Sequence, residues 1–316
     1  MSERQVYMRA DGKIVKNVDP MYKIAPYFMR ERSDAQNMIT VTVPYENIHE
    51  YVMETRKKGH KISHMSVVLA AFVRIISEYP ELNRFVVNSK IYARNELSVG
   101  MVVLRPGDAD ASMSKIKFDL ADTIFDVNNK VTSYIEANNK VDSSNSLDKL
   151  LNAFLSIPSF FIRGLMNLLR WFDKIGCLPK AVIDASPFHN SFVITNLASI
   201  RTNHIYHHVY SFGTNSMVVA MGNNIETTKA KKDGTLYLQK EIPFGIVMDE
   251  RIASGSYFAK AFAKMQSYLK NPTLLETPPE TIKVDYEFEG LSERFKSEKT
   301  KAKEAKKAAK AAKKNK

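Results

Sequence analysis

The chain has 316 residues, 44% hydrophobic and 25% charged, the proportions of a globular protein able to bury a sizeable core. Cys177 is its single cysteine, which excludes an intramolecular disulfide framework or a cysteine-built zinc cluster and suits a reducing, cytoplasmic setting. The formal charge of +12 invites a nucleic-acid reading, but residues 296–316 hold ten lysines against Glu298 and Glu304, so the body is only mildly basic.

Residues 1–14 read as a polar N-terminal arm with no apolar signal-peptide segment, and no uncharged run approaches the ~20 residues of a spanning helix. From Asn37 to Pro44, Ile39, Val41 and Val43 alternate with polar residues and predict a half-buried strand. Ile48, Tyr51, Val52 and Thr55 follow helical spacing, with Gly59 where a C-terminal cap glycine belongs. Ser63 to Tyr79 is apolar on nearly every side, which predicts an interior helix that Pro80 stops. A hairpin is expected over 85–93 around Asn88-Ser89, then a strand from Leu97 to Val103, a loop over 106–112 and a helix over 116–137. Val141 to Leu147 is Ser/Asn-rich and reads as a linker or lid.

Leu150 to Phe172 is the most apolar stretch, broken by Pro158 and punctuated by Arg163, Arg170 and Lys174. A membrane-surface helix and a helix packed into the core or against a subunit share this pattern, and the lack of a dense basic face favours packing. Strands are predicted at 191–195 and 216–221. A hairpin turning at Asp233-Gly234 is expected next, with arms 236–238 and 242–248, and then a last helix over 256–269. The Lys/Ala-rich tail from 286 on reads as a solvated appendage, capable of loose, salt-sensitive contact with nucleic acid or an anionic surface. Strand runs with segregated helices and no βαβ alternation argue for an α+β domain with a mixed sheet flanked by helices.

Phosphate-loop, dinucleotide-binding, serine-elbow and zincin motifs are absent from the sequence. Four ordered blocks instead carry a resemblance: residues 62–103, with the Pro80-Glu81-Leu82-Asn83 turn; SFVITNLAS at 191–199; SMVVAMGN at 216–223; and VMDERIASGSYFAKAFAKMQSYLKNPTLL at 247–275. They resemble the acyltransferase catalytic domain of 2-oxo-acid dehydrogenase complexes, whose chloramphenicol-acetyltransferase-like fold forms trimers or larger cages with active-site channels between subunits. The resemblance covers residues 15–285, with 107–190 as an extended helical or lid region. By this resemblance the chain is expected to be a stand-alone catalytic domain, without the lipoyl and peripheral-subunit-binding domains of a full complex component.

The resemblance implies a coenzyme A-dependent acyltransferase moving an acyl group to a thiol or hydroxyl acceptor. In such enzymes a histidine deprotonates a thiol and a hydroxyl stabilises the oxyanion, contributions of about 10²–10⁴-fold and 10²–10³-fold. Thr195 stands at the hydroxyl position. Glu250 stands at the histidine position, between Asp249 and Arg251, and Ser254 replaces the aspartate before Gly255. Three readings stay open: Glu250 is the base, although a carboxylate of pKa ~4.3 is poorly matched to a thiol at ~8.5; a displaced histidine acts, with His204, His207, His208 and His189 as candidates; or transfer chemistry is lost and a CoA- or acyl-binding scaffold remains. His204 and His208 also have a metal-pair spacing, but strand-like composition and no nearby carboxylate favour ordinary loop or interface histidines. Asn83 is expected to shape its turn and Arg251 to pair with Asp249, with contact between Arg251 or Ser254 and CoA as the alternative. Arg30 and Arg32 are expected on the surface, because Ser254 removes the carboxylate they would meet.

Overall fold

The computed structural model describes residues 9–16, 18–104, 111–138, 156 and 158–285. In chain order the strands are β1 (Gly12–Ile14), β2 (Gln36–Pro44), β3 (Arg84–Val87), β4 (Lys90–Arg94), β5 (Leu97–Leu104), β6 (Ala111–Phe118), β7 (Phe192–Asn196), β8 (Met217–Met221), β9 (Ile225–Ala230) and β10 (Leu236–Asp249). The helices are α1 (Pro20–Phe28), α2 (Tyr45–Lys57), α3 (His64–Glu78), α4 (Ile124–Asn138), α5 (Ser159–Ile175), α6 (Lys180–Ala185) and α7 (Gly255–Lys270). One mixed sheet runs β2–β10–β8–β7–β5–β6, with β9 against the first part of β10, and β1–β4–β3 form a small antiparallel sheet. The parallel pairings among the described residues are β5 with β7 and β7 with β8.

Period-two alternation gives the large sheet two different faces. Phe192, Ile194, Met217, Val219, Phe244 and Ile246 belong to the main core, which α3 and α7 cover. Val193, Val218 and Val247 point to the other face and form a small cluster with Val209 and Met113. Each fully buried Val, Leu, Ile or Phe stabilises the fold by about 1.5–3 kcal/mol. Ser63 caps α3 by accepting from the Ser66 N–H at 3.0 Å, and Pro80 cannot continue the helix. The one charged side chain buried along α3, Arg74, donates to the main-chain oxygens of Leu274 and Thr277.

The hairpin at Asn88-Ser89 is present, both residues at positive φ (50° and 56°) as a type I′ turn demands. Four expectations need correction. Residues 116–118, read as the start of a helix, end strand β6, because Ile116 and Phe118 are buried while Lys117 faces out. Residues 236–249 are one 14-residue strand, and the other arm of the Asp233-Gly234 hairpin is β9. From Arg9 on, the expected arm belongs to the domain, since β1 pairs with β4 and Arg9 and Asp11 are buried. Of the two packing places expected for helix α5, the core of its own chain is not one: Phe160, Phe161, Leu168, Trp171 and Ile175 are all exposed. The linker expected at 141–147 and the tail from 286 lie outside the described residues.

Candidate active site

Thr195 is on β7 opposite Ala220 of β8, which in turn faces Gly245 of β10. Strand alternation puts it on the side of Val193, away from the helices. It is half-buried, and its hydroxyl makes no hydrogen bond among the described residues. Glu250 follows β10 directly. Its N–H donates to the Ala35 carbonyl at 2.9 Å, and its Oε2 accepts from Asn37 Nδ2 at 2.6 Å. Within one chain the two residues stand apart. Two strand spacings and the five positions from Gly245 to Glu250 place them about 10 Å apart across the sheet and about 17 Å along it.

The neighbours of Glu250 are tied down. Asp249 is fully buried and accepts Arg251 Nε at 2.8 Å and Nη2 at 2.6 Å. Arg251 Nη1 donates to the Met29 and Arg30 carbonyls at 2.9 and 3.2 Å, so the guanidinium is spent within the chain. Ser254 is the cap of α7, its Oγ accepting the Tyr257 N–H at 3.1 Å. Both side chains are thus engaged within the chain, and Arg251 also lines a cavity with Arg30 and Arg32. Asn83 donates to the Glu96 carbonyl at 3.3 Å and braces its turn.

The histidine-bearing segment 203–210 is neither helix nor strand and crosses the Thr195 face of the sheet. Two glycines admit it: a Cβ on Gly245 would lie 2.2 Å from the Ile205 oxygen, and one on Gly222 2.4 Å from the His204 nitrogen. His204 Nε2 is 3.2 Å from Thr40 Oγ1 on β2, so the ring reaches across β10, away from Thr195. His207 Nδ1 meets the His208 carbonyl at 3.0 Å, and the two rings stack 4.7 Å apart. Neither hydrogen-bonds Thr195 or Glu250 among the described residues. His189 is buried with Asp173, 3.5 Å away, and takes Ser186 Oγ at 2.7 Å.

Arg32 corrects another expectation. It is 5% exposed, and in place of a carboxylate it donates to the Tyr210, Ser211 and Val86 carbonyls. Burial pushes its pKa down to about 10. Arg30 is exposed, as its sequence context predicts. The residues that sequence reasoning missed are Asn37, which holds Glu250, and Thr40, which holds His204; both contacts span more than 160 positions and leave no local signal.

No protein-family model and no curated protein matches the chain. Solved structures do. A probable dihydrolipoamide acetyltransferase from Listeria monocytogenes 4b F2365 is 12% identical, with a TM-score of 0.51 over 80% of this chain and 92% of that one. A dihydrolipoamide acetyltransferase of Azotobacter vinelandii, in which a serine, a histidine and an asparagine were investigated for catalytic roles, is 10% identical, with a TM-score of 0.52 over 82% and 93%. Chloramphenicol acetyltransferase is 12% identical, with a TM-score of 0.51 over 82% and 99%. At these identities the likeness is one of fold, and the fold is that of acyltransferase catalytic cores.

Proposed function

We propose, from the acyltransferase-core fold of this chain, that it moves an acyl group from a coenzyme A thioester to a thiol or hydroxyl acceptor, at a site completed by a second copy in a trimer. The observation that carries this reading is Thr195: a half-buried hydroxyl with no hydrogen-bond partner among the described residues, on the sheet face the helices leave uncovered. In the Azotobacter protein the histidine and asparagine are four positions apart, the separation of Glu250 and Ser254 here.

Glu250 is the better candidate base, because Asp249 and Arg251 neutralise each other and leave it the uncompensated charge of the turn. The acceptor proton passes to its carboxylate, and the acceptor attacks the thioester carbonyl. Thr195 from the other copy donates to the oxyanion, and collapse releases the CoA thiolate, which takes the proton back. A carboxylate is a weak base toward a thiol, so turnover is expected to be slow. Release of free CoA from acetyl-CoA with a thiol acceptor tests the reading. Thr195→Ala is expected to lower the rate by about 10²–10³-fold, Glu250→Gln to bring it to background, and Glu250→His to raise it. Wild-type protein that releases no CoA removes the proposal.

A second reading, a CoA- or acyl-binding scaffold, draws on the occupation of the Glu250 carboxylate by Asn37. CoA binding without turnover favours it.

A further inference from the structure

Helix α5 carries more apolar surface than the domain covers. At 3.6 residues per turn, Phe160, Phe161, Leu168, Trp171 and Ile175 share about 100° of its circumference. All five are exposed, Phe160 to 78% and Trp171 to 54%. Gly164 lies in the same arc, and a Cβ there would meet nothing within 4 Å. The side toward the domain carries the half-buried Ile162, Met166 and Leu169 and the buried Asp173, which Arg9 clamps.

Charge borders this arc on one edge. Arg163, Arg170 and Lys174 line up beside Phe160 and Trp171, all exposed and without an ion pair among the described residues. The helix's one acidic residue, Asp173, is buried and paired. Arg170 and Lys174 also line a cavity of about 540 Å³ together with Tyr27, Arg30 and Arg32. Arg32 brings a buried charge whose hydrogen bonds go only to main-chain oxygens, and its Nε has no partner. Against these cations the cavity sets Glu31 and the already paired Asp173. At its other rim α1 exposes Met21, Ile24, Tyr27 and Phe28.

We propose that α5 and the end of α1 seat the protein on the surface of an anionic phospholipid bilayer. The aromatic arc enters the headgroup–acyl boundary, Arg163, Arg170 and Lys174 meet lipid phosphates, and the cavity beside them accepts one headgroup. An apolar arc bordered by cations is the pattern of helices that lie in the membrane interface. No helix among the described residues is long and apolar enough to cross a membrane, so the association is peripheral. A second copy is the poorer occupant, because an antiparallel two-fold contact through α5 sets its cationic edges against one another. The aromatic arc lies on a different element from Thr195 and Glu250, although Arg251, next to Glu250, also lines the cavity; lipid binding does not depend on the proposed chemistry.

Trp171 is the chain's only tryptophan and reports on this face directly. The full chain is mixed with vesicles of phosphatidylcholine alone or of phosphatidylcholine with phosphatidylglycerol, and sedimentation and tryptophan emission are followed. The expected result is co-sedimentation and a blue-shifted emission with the anionic vesicles only. Arg170→Glu with Lys174→Glu should weaken binding by at least about tenfold, and Phe160→Ser with Phe161→Ser should remove the shift; these exposed positions leave the fold intact, which circular dichroism checks. Sedimentation without a tryptophan shift assigns the attraction to the lysine-rich tail and overturns the proposal. So does an emission already blue-shifted and shielded from iodide without vesicles, which means that a second copy or another part of the chain covers the face. Vesicle binding unchanged in both double variants overturns it as well.

Discussion

Asp249 and Arg251 set the electrostatics around Glu250, and both lie almost wholly out of solvent. Breaking such a pair leaves one buried charge uncompensated, at about 3–5 kcal/mol. Asp249→Asn is therefore expected to lower unfolding free energy in urea by that order and to loosen the 29–30 segment that Arg251 holds. Asp173 titrates in the opposite sense to most buried acids. Burial alone would raise its pKa, but the His189 ring and the Arg9 guanidinium outweigh burial and hold it at about 2. That lies below the ordinary carboxylate value of ~3.9, so its contribution is complete above about pH 5 and is lost as pH falls toward 2. The stability gap between wild type and Asp173→Asn should accordingly be largest near neutrality and shrink between pH 5 and pH 2 in denaturant titrations. A gap independent of pH would show that the charge is not what stabilises α5.

Among the elements, α7 and the segment 203–210 make sharp claims. Ser254 caps α7 through Tyr257, so Ser254→Ala should cost about 1 kcal/mol, whereas Ser254→Asp keeps the cap and adds a favourable charge at the helix N-terminus. Thermal melts of the two variants should separate, with the aspartate form at or above wild type. Gly245 and Gly222 exist to let the segment lie on the sheet. A methyl at Gly245 collides with the Ile205 carbonyl, so Gly245→Ala should lift the segment and expose its histidines. Faster hydrogen exchange or proteolysis within 203–208 would register this, and unchanged protection would contradict the packing.

For the molecule as a whole, the separation of Thr195 and Glu250 within one chain makes assembly the deciding property. If each site draws one residue from either copy, Thr195→Ala chains alone are slowed by about 10²–10³-fold and Glu250→Gln chains alone are at background. After mixing and reassembly they should regain about a quarter of wild-type CoA release, because one random pairing in four carries both intact residues. No recovery in mixed oligomers would place both groups in the same chain and remove the shared site.

The local periodicities in the sequence determined most of the secondary structure. Alternation in Ile39, Val41 and Val43, the all-apolar run before Pro80 and the Asn88-Ser89 turn each specify one backbone geometry without outside help. The spacing of the four family-like blocks likewise carried the mixed α+β fold. Sequence reasoning misread Ile116 to Phe118 because a strand ending in buried residues and a helix beginning with them look alike over three positions. It misplaced Arg32 because its partners are main-chain carbonyls, which no sequence pattern displays. Tertiary structure alone decided that Asn37 meets Glu250, that His204 turns toward Thr40, and that α5 keeps its apolar arc in solvent. These depend on contacts between residues far apart in the chain, whose energies register nowhere in the local alternation of side chains.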